Sequence, residues 1–211
     1  MAYYVVKLKQ DGTILKSVTL SFMPSSVCID RSGFLWAVFK SGSNSKVYKF
    51  KQDGTVLYTF KTPNSYPVGI SADNNGFIWL VDDVSNKIFK LSQTGLVLNE
   101  FIAGIVKPYD IDIGADGHIW LADDVALKIF KTTMNGIVIK EFSSPSNNPV
   151  GISIDSHGFI WVLEYSALKI YKMNQDGEIL YEFATPLDTE YPYSVDVDNQ
   201  GFLWHLAAIG M

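Results

Sequence analysis

The sequence predicts an all-β, five-bladed β-propeller with four antiparallel strands per blade. Three observations predict it. The core G-[FH]-[IL]-W occurs five times, ending at Trp36, Trp79, Trp120, Trp161 and Trp204, at spacings of 43, 41, 41 and 43. A proline stands nine residues before each core glycine: Pro24, Pro67, Pro108, Pro149 and Pro192. A second glycine column, Gly12, Gly54, Gly95, Gly136 and Gly177, recurs every 41 or 42 residues. A period of that length, filled by short strands, is the signature of a propeller blade.

The elements follow from one copy. Between Pro67 and Phe101 lie four apolar runs, VGISA, FIWLV, KIFKL and LVLNEF. Runs of about five residues, rich in Ile, Val and aromatics and bounded by Gly, Asn and Asp, read as strands. The first turn is DNNG, with DRSG, DSHG, DNQG and the variant GADG in the other copies. The second is SQTG, KQDG, TMNG or NQDG. Each ends on a glycine that supplies the positive φ of a tight hairpin. The chain opens mid-blade, because YYVVKLKQDGTILKSVTL matches the third and fourth strands of the next unit. It ends with PYSVDVDNQGFLWHLAAIGM, a first and second strand. Residues 1–20 and 192–211 are therefore expected to complete one blade, making residues 1–211 a single domain. Closure of this kind removes an open sheet edge.

Composition narrows the function classes. The formal charge of −5 argues against a nucleic-acid partner. No apolar run approaches a membrane span, and no signal peptide is visible. A cytoplasmic or virion-associated location is the expectation. Cys28 is the single cysteine, expected in the core and outside any intrachain disulfide. Lys46, Lys87, Lys128 and Lys169, and then Lys7, Lys49, Lys90, Lys131 and Lys172, recur by blade. Recurrence places them on the outer rim, with their stems on apolar neighbours. Asp30, Asp73, Asp155 and Asp198 in the first turn, and Asp11, Asp53 and Asp176 in the second, are expected to bond their own backbone. One carboxylate per turn is too few for calcium.

The candidate site lies on the face where chains enter the first strand and pass from second to third, here called the top. Asp82, Asp83, Asp123, Asp124 and Glu164 fall there, opposed mainly by Lys40 and Lys107. Asp188 and Glu190 lie in the longest inter-blade loop, with Tyr191 and Tyr193 after it. The site residues expected are Asp82, Asp123, Glu164 and Tyr165, with Tyr109 and Tyr193 at the mouth of the central channel. The innermost strands alternate an apolar side with a small or polar side. That alternation puts Asp110, Asp112 and Asp196 near the axis, where a charge needs a partner, a cation or water. A water-filled tunnel is the expectation. No catalytic constellation is visible. His118, His157 and His205 match no metal spacing, and no nucleophile elbow or phosphate loop is present.

The pattern P-x-G-I-x-x-D-x-x-G-x-[IL]-W-[LV]-x-[DE], then N-K-I, then D-G, resembles the NHL-type repeat and, closely, the repeat of the streptogramin B lyases. The resemblance covers the whole chain. It implies a top-face site, which in those seven-bladed lyases uses histidines, a glutamate and a magnesium ion. Glu164, in WVLE, matches the column of the glutamate motif. The histidine after the blade-opening proline has no match, since that column reads Ser25, Val68, Tyr109, Val150 and Tyr193. Two readings follow. The first is a non-enzymatic scaffold or binding module that presents its top face to a protein or glycan, as a cytosolic scaffold or a virion structural or attachment protein; it needs no cofactor. The alternative is a lyase that uses Glu164 and a divalent cation.

Overall fold

A computed structural model describes residues 2–185 and 191–209, so Asp188 and Glu190 lie outside the described residues. The chain opens with β1 (Ala2–Leu8) and β2 (Ile14–Leu20). The first whole blade is β3 (Ser26–Ile29), β4 (Leu35–Phe39), β5 (Lys46–Phe50) and β6 (Val56–Lys61). The second is β7 (Pro67–Ala72), β8 (Ile78–Asp82), β9 (Lys87–Leu91) and β10 (Val97–Ile102). The third is β11 (Pro108–Ile113), β12 (Ile119–Asp123), β13 (Lys128–Thr132) and β14 (Val138–Ser143). The fourth is β15 (Pro149–Ile154), β16 (Ile160–Glu164), β17 (Lys169–Met173) and β18 (Ile179–Ala184). The last strands, β19 (Tyr191–Val197) and β20 (Leu203–Ile209), join β1 and β2 in a sheet ordered β19-β20-β1-β2. The ring thus closes by pairing Ala2 to Leu8 against Ile209 to Leu203. Inner strands touch in the circular order β3, β7, β11, β15, β19 and back to β3.

Sheets pack face to face, so each of the five interfaces holds one hydrophobic cluster. A tryptophan fills each, and all five are no more than 1% exposed. In four of the five blades the bottom turn supports its tryptophan. In the first blade, one Asp30 oxygen accepts the amides of Ser32 and Phe34 at 2.9 Å, and the other accepts Trp36 Nε1 at 2.9 Å. Gly33 takes φ +79°, which a Cβ would strain. Lys49 Nζ lies 3.5 Å from Asp30 and 4.6 Å from the Trp36 ring centroid.

This corrects the rim assignment for one lysine column. Lys7, Lys49, Lys90 and Lys172 each bridge a bottom-turn aspartate and a tryptophan face. A long stem can cross the strand pair and deliver its charge to that carboxylate, an option that recurrence alone does not show. Lys87, Lys128 and Lys169 do pair on the outer strands, with Glu100, Glu141 and Glu182.

The third blade breaks the triad. Gly114 stands where the others have aspartate, and Trp120 Nε1 is buried without a partner. Lys131 turns to Asp116 instead, at 2.6 Å. Trp79→Phe should therefore cost about 1–2 kcal/mol more than Trp120→Phe in denaturant titration. The first change strips a donor from Asp73, whereas the second removes a donor that satisfies nothing. Equal costs would contradict the triad.

Candidate functional site: the top mouth

Three of the top loops are built by the carboxylates three residues after Trp79, Trp120 and Trp161. Asp82 takes the amides of Val84 and Ser85 and the Ser85 hydroxyl on one oxygen, and Asn64 Nδ2 and the Tyr66 amide on the other. Asp123 takes the amides of Val125 and Ala126 on one oxygen and that of Lys107 on the other, at 2.7 Å. Glu164 accepts the Ser146 amide at 3.2 Å and the Asn148 amide at 2.9 Å. All three side chains are buried. Burial alone would raise Asp82, but the Ser85 amide, Asn64, the Ser85 hydroxyl and the Tyr66 amide hold it below its usual range. In Glu164 burial prevails over the Asn148 and Ser146 amides, and its carboxyl is raised. Asp82 and Asp123 fix the shape of the mouth by tying the incoming connector to the next turn, and Glu164 holds the connector alone.

The following residue is exposed or partly exposed in four blades, Ala208 alone being buried. That column reads Lys40, Asp83, Asp124, Tyr165 and Ala208, with only the aspartate repeated. Lys40 Nζ pairs with Asp83 at 3.3 Å, and Lys107 Nζ with Asp124 at 3.6 Å. The second oxygen of each acid, Oδ1, is buried without a partner. Asp124 is raised by its burial, which outweighs Lys107, with Asp123 adding to the rise.

A second column comes from a bulge. The inner-strand register slips between Pro67 and Gly69, Pro108 and Asp110, Pro149 and Gly151, and Pro192 and Ser194. The skipped residue is re-aimed by the bulge. Val68 and Val150 there are buried, whereas Tyr109 and Tyr193 are half-exposed. Burial raises the Tyr193 phenol, followed by Tyr165, Tyr3 and Tyr191 beside it. The Tyr109 phenol is pushed up to about 12 by burial, then by Asp124, Asp110, Tyr193 and Asp83. Tyr165 and Tyr191 lie 6.4 Å apart between ring centroids. The structure thus brings Tyr109, Tyr165 and Tyr193 together and adds Asp83, Asp124, Tyr3 and Tyr191. It places Asp82, Asp123 and Glu164 behind them.

Beneath the mouth the axis is filled by side chains, which corrects the open tunnel. Ser26 Oγ donates to Asp110 Oδ1 at 3.1 Å, and the Ile152 amide donates to Asp110 Oδ2 at 3.1 Å. Gly69 makes room, since a Cβ there would meet Asp110 Oδ1 at 2.7 Å. One layer lower, Ser153 Oγ lies 3.2 Å from Asp112 Oδ2 and 2.7 Å from Asp196 Oδ1. The Ile29 amide donates to Asp196 at 2.6 Å. Five inner strands converge so closely that their short polar side chains reach across. Asp110 and Asp112 are raised by burial, and Asp196 is raised to about 7 by burial and then by Asp112. Below them a cavity of about 110 Å³, lined in part by Asp112, Asp196, Arg31 and Asp198, opens on the bottom face.

A model of the virginiamycin B lyase family matches residues 4–210. The chain belongs to that family. Virginiamycin B lyase from Staphylococcus aureus is similar in fold, at 22% identity and a TM-score of 0.58, over 98% of this chain and 74% of that one. A catalytically inactive histidine-to-alanine form of that enzyme, with quinupristin, gives 21% identity and 0.58 over the same shares. A streptogramin B lyase gives 20% identity and 0.60, over 97% of this chain and 80% of that one. No match was found among curated proteins.

The family resemblance implies a magnesium ion, and the described donors at the top do not fit one. Both Glu164 oxygens already accept backbone amides. His118 and His157 lie at bottom turns, and His205 is buried within β20. Among the described residues no group of three or more His, Cys, Asp or Glu is placed to hold a metal. Also among them, no helix is long and apolar enough to cross a membrane.

Proposed function

We propose that the chain is a non-enzymatic binding module whose top mouth receives a protein or glycan partner. The observation that carries this is where the five-fold repeat breaks. Tyr109 and Tyr193 stand at the bulge where two other blades have valine, and the column Lys40, Asp83, Asp124, Tyr165 and Ala208 holds four residue types in five blades. Loops on a rigid scaffold vary without cost to the fold, and tyrosine offers rigid amphipathic contact area. The engagement of Glu164 by backbone and the absence of histidine from the top weigh against chemistry there. Such a module suits a structural or attachment role, in the cytosol or on a virion.

The test is binding of the purified protein to glycan and peptide arrays, beside the variant Tyr109→Val with Tyr193→Val. Valine already occupies that column at Val68 and Val150, so the variant respects the scaffold. Partner binding should fall at least about tenfold, the loss of roughly 1.4 kcal/mol of contact. Undiminished binding by a folded variant would sink the reading.

A further inference from the structure

We propose that the top mouth is built for an alkylated ammonium group carried by the partner: phenol rings wall it, and acids stand behind them. This rests on the reading of the mouth as a binding site and names the chemistry it recognises.

The walls come first. Tyr165 and Tyr191 are inclined at 37° rather than stacked flat. Tyr193 stands within electrostatic reach of Tyr165, Tyr3 and Tyr191, and Tyr109 within reach of Tyr193. All five rings are half-buried, each keeping part of its surface open. A ring face is negative and attracts a cation, and several faces together form a cage.

Charge comes second. Asp83 and Asp124 stand at the mouth, paired with Lys40 and Lys107, next to the buried Asp82 and Asp123. Lys40 leans outward, with Nζ 5.9 Å from the Tyr66 ring centroid. Burial is the main cause of the raised Tyr109 phenol, and Asp124, Asp110 and Asp83 add a smaller field of the sign that favours a cation over an anion. A neutral sugar ring would use the ring faces and leave that field idle.

Access comes third. The unpartnered oxygens of Asp83 and Asp124 have no exposed surface, and Asp82 and Asp123 are saturated by backbone donors. The acids therefore supply a field, and the other oxygen of Asp83 and of Asp124 already holds Lys40 or Lys107. A primary ammonium would lose hydrogen bonds to water on entering. A quaternary one has none to lose.

The experiment titrates the full chain, by calorimetry, with choline and with 3,3-dimethylbutan-1-ol, its uncharged isostere. Choline should bind with a Kd on the order of 1 mM. The alcohol should bind at least about tenfold more weakly, the difference being the cation–ring term. Tyr109→Val with Tyr193→Val should weaken choline at least about fivefold, equivalent to the loss of one or two such contacts. A trimethyl-lysine peptide and a phosphocholine-bearing sugar then separate protein from glycan sources, the acid field penalising the phosphate. Equal binding of choline and the alcohol, or no saturable choline binding, overturns the proposal. Should choline fail while array binding is still lost in the valine variant, the site stands and the cation falls.

Discussion

Trp161→Ala should cost about 3–5 kcal/mol in denaturant titration, and Trp79→Ala as much. Trp161 fills the interface between the fourth blade and the closing blade, against Val6, Leu8, Val150, Leu163, Val195 and Leu203. Its removal leaves a cavity that a closed ring relaxes poorly, because each blade is held on both sides. It also takes the indole donor from Asp155, 3.1 Å away. The whole stability of a domain this size is of order 5–15 kcal/mol, so either change consumes a large share. A cost below about 1 kcal/mol at both positions would mean that the blades are not held by their tryptophans.

Asp196→Asn should stabilise the protein by about 3–4 kcal/mol at pH 8 and by little at pH 4. The folded carboxyl is raised to about 7, against an ordinary 3.8 in the unfolded chain. Between those values the unfolded chain releases the proton and the folded one keeps it. Stability from this group is therefore full below pH 4 and is lost as pH rises through about 7. Asparagine abolishes that loss. His205 acts in the opposite sense. Burial lowers its ring to about 4, so its contribution is full above pH 6.5 and is lost as pH falls toward 4. Wild-type stability thus combines opposed slopes, and the difference between wild type and variant separates the interacting Asp196 and Asp112 pair from His205. A difference independent of pH would place the axial carboxyl in a solvated channel after all.

Much of the fold was legible because each blade repeats its constraints. The proline, glycine and tryptophan columns located the strands, the turns and the split blade that closes the ring. The site was less legible for a local reason. Asp82 and Asp83 are neighbours on one strand end, as are Asp123 and Asp124, so sequence alone does not say which faces the mouth. One signal was present. Asp82, Asp123 and Glu164 are acidic in three blades, and repetition marks the scaffold. The next column holds four residue types in five blades, and change marks the surface. The bulge that aims Tyr109 and Tyr193 was also written in the repeat, as P-x-G and its variants P-Y-D and P-Y-S, but its register appears only once the strands pair. The packing of the axis depends on how closely five inner strands converge, which alternation along a single strand does not encode.

The central claim is that this family member meets its partner at the top mouth. Hydrogen exchange with and without an array-selected partner tests it most directly. Protection should appear in the top connectors, residues 63–67, 104–108 and 145–149, and in the turns at 82–86, 123–127 and 164–168. The bottom turns at 30–34, 73–77 and 155–159 should exchange as before. Protection confined to the bottom turns, with the top unchanged, would contradict the account.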